Sequence, residues 1–139
     1  MTPEECATLH QAAFRTERPW QVEEFTTLIA QRFVSMIEHP HGFALTRTVA
    51  RESELLTLAV DPLHHGRGIG TEILRRWLDS LAKTADTAFL EVADDNHAAK
   101  HLYARLGFSQ IARRKGYYAR TDAASVDAIV MRLPVSDAP

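Results

Sequence analysis

Val60-Asp61-Pro62-Leu63-His64-His65-Gly66-Arg67-Gly68-Ile69-Gly70-Thr71 carries the most chemistry of any stretch in this 139-residue chain. An apolar strand pattern from Leu55 to Val60 stops at Asp61-Pro62, a glycine loop follows, and an amphipathic helix starts almost at once. Three alternate glycines remove Cβ atoms that would hold a ligand off the backbone. The first-turn N–H groups of the helix have no intrahelical acceptor, and its dipole adds partial positive charge there. That combination binds phosphate. A Walker loop would require Gly-Lys followed by Ser or Thr, and the chain has no such run. A dinucleotide fingerprint starting at Gly66 would require a sixth-place glycine where Thr71 stands, and an acidic residue ending a second strand. Glu91 comes at roughly the right distance but lies inside an apolar strand.

Downstream, Ala88 to Val92 reads as a strand and Asp94-Asp95-Asn96 marks its exit, with Asn96 a good helix N-cap. A helical apolar stripe then runs through Ala98, Ala99, Leu102, Tyr103 and Leu106. Gly107 supplies the stop and Phe108 opens another strand. Asn96-x-Ala-Ala-x-x-Leu-Tyr-x-x-Leu-Gly-Phe108, after the loop His65 to Gly70, resembles the two signatures of the GCN5-related N-acetyltransferases (GNAT). The one departure is His65, where that family has Gln or Arg. Leu90-Glu91-Val92, Arg113 to Tyr118, Asp127 to Met131 and Pro19-Trp20 are similar to the RimI-type branch, the ribosomal-protein alanine N-acetyltransferases.

The resemblance implies acetyl-CoA as cosubstrate and a primary amine as acceptor. In the family, free N–H groups of the strand before the loop hold pantetheine and thioester, which here points to Leu58, Ala59 and Val60. The pyrophosphate would lie on Gly66, Arg67, Gly68, Ile69, Gly70 and Thr71, with Asn96 near the pantetheine arm. The same resemblance puts Trp20, Tyr117 and Tyr118 beside the acceptor. Packing of loop ends is an equal reading of those three aromatics.

Acetyl transfer needs a neutral amine, a polarised carbonyl and a proton for the leaving thiolate. Strand alternation turns Phe89, Glu91 and Ala93 away from Leu90 and Val92, so Glu91 is expected to be partly desolvated, as a proton acceptor should be. A salt-bridge or edge role is its alternative, and the resemblance favours the base. Tyr103 on its stripe could equally be a core aromatic. The family motif makes it the acid, and a phenol near about 10 can supply a thiolate near about 8.5. The first reading is therefore acetylation of the N-terminal alanine of a ribosomal protein. The others are a GNAT enzyme for a small amine or lysine side chain, and a non-catalytic acyl-CoA sensor.

Composition bounds these readings. The chain is long enough for one core, expected as one domain over 1–134 with a frayed tail at 135–139. A net charge of −2 argues against a nucleic-acid-binding domain. Arg113, Arg114, Lys115 and Arg120 form one basic cluster, either a solvated loop or a face for adenosine phosphates or an acidic acceptor. No apolar run is long enough for a membrane span and no signal peptide is evident, so a cytoplasmic setting is expected. The single cysteine, Cys6, sits on the stripe Cys6, Leu9, Ala13 and is expected in the core. His97 with His101, and His39 with His41, have metal-like spacings but no accompanying Cys or Glu, so no metal is assigned.

The elements that must position these residues are helices over 3–14, 21–31, 68–83 and 97–106, and strands over 32–37, 43–50, 54–60, 87–93, 108–114 and 126–133. Their order predicts an α/β mixed sheet flanked by about four helices, the GNAT acyl-CoA N-acyltransferase fold: mostly antiparallel, with one splayed parallel pair. Thr2-Pro3-Glu4 reads as a helix entry, so the strand with which the family usually begins is expected to be absent. Strand 32–37 is then an open edge, expected to be covered by the tail or by a second copy in a homodimer.

Overall fold

The computed structural model describes residues 1–15, 17–120 and 123–139. Helix α1 (Pro3–Ala13) starts where Thr2 accepts the Glu5 N–H while Glu5 accepts the Thr2 N–H, a reciprocal cap with Pro3 in the first turn. Helix α2 is Val22–Ile29, and strands β1 (Val34–His39), β2 (Gly42–Val49) and β3 (Glu52–Val60) follow as an antiparallel meander. A 3-10 turn at Pro62–His64 leads into helix α3 (Ile69–Ser80) and strand β4 (Thr87–Ala93). Helix α4 (His97–Arg105) and the hairpin of β5 (Ser109–Tyr118) and β6 (Val126–Pro134) complete the order β1-β2-β3-β4-β6-β5. No strand precedes α1 in the described residues, so β1 is an edge.

Two cores lie on opposite faces of the sheet, because neighbouring strand residues alternate between them. Ala44 packs with Ile73, Leu74, Trp77 and Leu90 under α3 and α4. Phe43 and Leu45 pack with Cys6 and Phe25 under α1 and α2. Cys6 is fully buried there, as expected from its stripe.

β3 and β4 are the parallel pair, and they pair only at Glu52↔Thr87, Ser53↔Ala88 and Glu54↔Phe89. The paired end is fastened by Arg51, whose Nε and Nη2 donate to Asp86 at 3.0 and 2.9 Å while its carbonyl accepts the Asp86 N–H at 2.8 Å. Beyond Phe89 the strands diverge, so β3 keeps a ladder to β2 alone and its other edge faces a cleft. Among the described residues no helix is long and apolar enough to cross a membrane.

Three expectations need correction. The tail does not cover β1 and does not fray: residues Val135–Asp137 form a 3-10 turn, the Val135 N–H donates to the Asp86 carbonyl at 2.8 Å, and Val135 and Ala138 pack on the α3 core. The β1 edge is blunted in part by α3, since Arg76 donates to the Glu38 carbonyl at 2.6 Å. β5 continues through Tyr118 instead of ending in a loop. Gly116, at φ +59, lets the strand shift register there, and Asp127 accepts the Gly116 N–H at 2.9 Å.

Candidate active site

A cavity of about 770 Å³ opens in the V between β3 and β4. From β3 it is lined by Leu58 and Val60; Ala59 turns to the opposite face and is buried there. The strand period of two separates them, so only the backbone of Ala59 remains available on the cleft edge. From the loop come Gly66, Gly68, Ile69, Gly70 and Thr71, whereas Arg67 is not part of the lining.

The three glycines do different work. Gly66 and Gly68 have φ of +77° and +76°, and a Cβ on either would meet nothing within 4 Å. They are required for left-handed backbone. Gly70 is helical, and its Cβ would come within 3.2 Å of Leu102 Cδ2, so it permits α3 to approach α4. Gly70 thus has a helix-packing role that its place in the loop did not reveal. His65 also lines the cavity, and its Nε2 donates to the Val60 carbonyl at 3.1 Å, which ties the loop to β3.

Glu91 and Tyr103 both line this cavity. Glu91 is partly buried and has a charged partner, the salt-bridge alternative named for it. Its Oε1 lies 3.0 Å from Arg114 Nη2, and its side chain is 28% exposed, so an ion pair defines its surroundings. Tyr103 is buried, and its ring meets Phe108 edge-on at 6.1 Å. Burial, then the charges of Glu17 and Tyr118, push its phenol well above the ordinary tyrosine value. Asn96 also lines the cavity, but its Oδ1 accepts the Ala99 N–H at 3.2 Å and caps α4.

Trp20, Tyr117 and Tyr118 reach the same cavity from the α1–α2 connection and from β5. Trp20 is set by His10, a residue sequence reasoning missed. The Trp20 N–H donates to His10 Nδ1 at 3.0 Å, which leaves the proton on Nε2 to donate to Thr57 Oγ1 at 2.9 Å. His10 is fully buried, stacks on Phe14 at 3.8 Å, and burial lowers its pKa to about 4. Its position four residues after Cys6 on the apolar stripe was the available signal. Tyr118 is pushed up to about 12 by burial, then by Glu17, Glu91 and Tyr117.

The basic cluster is neither a solvated loop nor a free cationic face. Arg113 bridges Asp94 and Asp127 at 2.9 and 2.7 Å, Arg114 pairs with Glu91, and Arg120 grips Asp95 at 2.9 and 2.7 Å. Arg120 is nearly buried in the cavity wall with Glu17 3.7 Å away, and burial raises the Glu17 carboxyl. Glu17 was missed, and Arg120 was read only as one of the basic cluster, because their partners lie far away in sequence.

The chain matches the model of the Acetyltransferase (GNAT) family over residues 3–108. It is 37% identical over 123 residues to the [Ribosomal protein bS18]-alanine N-acetyltransferase of Escherichia coli K12, covering 85% of this chain and 82% of that one. It is 33% identical over 141 residues to the N-alpha-acetyltransferase RimI of Mycobacterium tuberculosis, covering 95% and 86%. The crystal structure of the ribosomal-protein-S18-alanine N-acetyltransferase from Escherichia coli superposes with a TM-score of 0.87 at 32% identity, over 96% of this chain and 87% of that one. With its splayed β3–β4 pair, glycine loop and helix signature, the chain belongs to the GNAT family of acetyltransferases.

Proposed function

We propose that this chain moves the acetyl group of acetyl-CoA to the N-terminal α-amine of a protein, with the alanine terminus of a ribosomal protein as acceptor. The observation that carries the reading is that the glycine loop, the unpaired edge of β3, Glu91 and Tyr103 all open on one cavity. The curated relatives named as acting on a ribosomal-protein alanine support the choice of acceptor.

In this reading the loop and the first turn of α3 hold the pyrophosphate. The β3 N–H groups facing the cleft hold the pantetheine and polarise the thioester carbonyl, as preorganised donors do. The amine nitrogen bonds to the carbonyl carbon, and its proton passes to Glu91 through water. The carbon–sulfur bond breaks, and the Tyr103 phenol protonates the sulfur. Burial keeps Tyr103 protonated at neutral pH, and the same low-dielectric site disfavours a free thiolate. Trp20, Tyr117 and Tyr118 line the acceptor end, with Glu17 and Arg120 beside them.

The test is acetyl transfer from acetyl-CoA to peptides that differ only in the first residue, with free lysine and polyamines alongside. Selective turnover of the alanine-start peptide, lost in Glu91→Gln, is the expected result. Preference for a small amine or lysine would remove the protein-terminus acceptor. Tight acetyl-CoA binding without turnover of any amine would favour a sensor.

A further inference from the structure

We propose that His41, Asp61 and His64 form a binding site for a divalent transition-metal cation of the Zn²⁺ type. His41 lies in the turn between β1 and β2, Asp61 follows the end of β3, and His64 closes the 3-10 turn. The Asp61 N–H donates to the His41 carbonyl at 2.8 Å, which holds the two turns together. One ligand atom from each of the three side chains lies within 4.8 Å of the other two.

His64 supplies the independent sign that something is missing from this cluster. Its Nδ1 is buried without a hydrogen-bond partner and stands 3.5 Å from Asp61 Oδ2. Buried polar atoms are ordinarily satisfied, and a cation between this nitrogen and the carboxylate would satisfy both. Two imidazoles and one carboxylate are a ligand set suited to zinc and its neighbours, leaving a coordination position open.

The surroundings already orient the ligands. Asp61 Oδ1 accepts the Leu63 N–H at 3.0 Å, which aims the second oxygen towards His64. His39 Nδ1 accepts the His41 N–H at 3.0 Å, and His39 Nε2 is engaged by Glu72 at 3.1 Å. The His41 and His64 rings are stacked at 3.6 Å and 10°. Ligand nitrogens and oxygens around zinc sit at roughly 2.0–2.2 Å from the metal, so His41 must turn out of the stack and the cluster must contract by about 1 Å. The position of His41 on a turn, where it is only half-buried, permits that motion. A bound cation would pin the segment that leads into the glycine loop, since His65 and Gly66 follow directly.

The test uses the untagged full chain, stripped with EDTA and titrated with Zn²⁺ by calorimetry near neutral pH, with Co²⁺ absorption as a second readout. One-to-one binding is expected, with Co²⁺ bands of a low-coordinate nitrogen and oxygen site. His41→Asn and His64→Gln should each weaken it at least about tenfold, and Asp61→Asn should do the same while keeping the Leu63 cap. Circular dichroism checks that each variant folds, and the two histidine variants suffice if Asp61→Asn does not. No stoichiometric binding by the wild type overturns the proposal. So does binding that survives His41→Asn and His64→Gln but is lost in His97→Ala/His101→Ala.

Discussion

Arg114 on β5 reaches across β6 to place its Nη2 3.0 Å from Glu91 Oε1 on β4. On the intervening strand Ala128 stands opposite Arg114 and Val130 opposite Glu91, so the guanidinium reaches its partner on the diagonal. The proposed base is therefore held by a cation from the edge strand. Exposed pairs of this kind contribute about 0–1 kcal/mol to stability, so Arg114→Ala should melt within a few degrees of wild type. Glu91→Gln should lower kcat by roughly 10²–10³-fold, and Arg114→Ala by less, because it removes the partner and leaves the carboxylate. Steady-state kinetics of both variants check this, and unchanged turnover in Glu91→Gln would remove Glu91 from the chemistry.

Tyr103→Phe keeps the ring and its edge-on contact with Phe108, so the fold should be retained. Loss of the proton donor should lower kcat roughly 10–10²-fold with little change in the acetyl-CoA dissociation constant. A variant with wild-type kcat would return Tyr103 to the role of a core aromatic.

His10 makes stability depend on pH. Its folded pKa is lowered to about 4, below an ordinary value of 6.5, so the unfolded chain binds a proton more readily. The neutral ring's contribution is fully present above about pH 6.5 and is lost as pH falls towards about 4. Over that window the loss is about 3 kcal/mol for this fully buried ring. Denaturant midpoints measured across it should fall in wild type and flatten in His10→Gln. Trp20 fluorescence should report the same transition, since its N–H is held by the ring.

Gly68→Ala and Gly70→Ala should behave differently although they stand two residues apart. At φ +76° an alanine at 68 costs about 1–2 kcal/mol and distorts the loop, raising KM for acetyl-CoA. At 70 the new methyl meets the flexible end of Leu102, and a helical Ala gains up to about 1 kcal/mol over Gly, so stability should barely move. Equal effects at the two sites would contradict the assigned roles.

Local signals in the sequence were enough for the element order, the glycine loop ahead of α3, the Asn96 cap and the buried stripe of α3. Each depends on spacings of a few residues: a 3.6-residue period over Ile69, Ile73, Leu74, Trp77 and Leu78, a cap three residues before its N–H donor, a Pro beside a turn. The full length of β5 was not legible, because all but its last residue are exposed and no alternation marks it. Nor was the pairing of Glu91 with Arg114, of Trp20 with His10, or of His64 with His41 and Asp61. Those contacts depend on how helices, strands and turns pack together, by strand order and register for Glu91 with Arg114 and by the meeting of turns and connections for the others. The sequence by itself determined where a glycine turn meets a helix N-terminus and which side chains are candidates for the proposed proton transfers. Only the tertiary structure decided what surrounds them, because the charge and burial of a side chain belong to its neighbours in space.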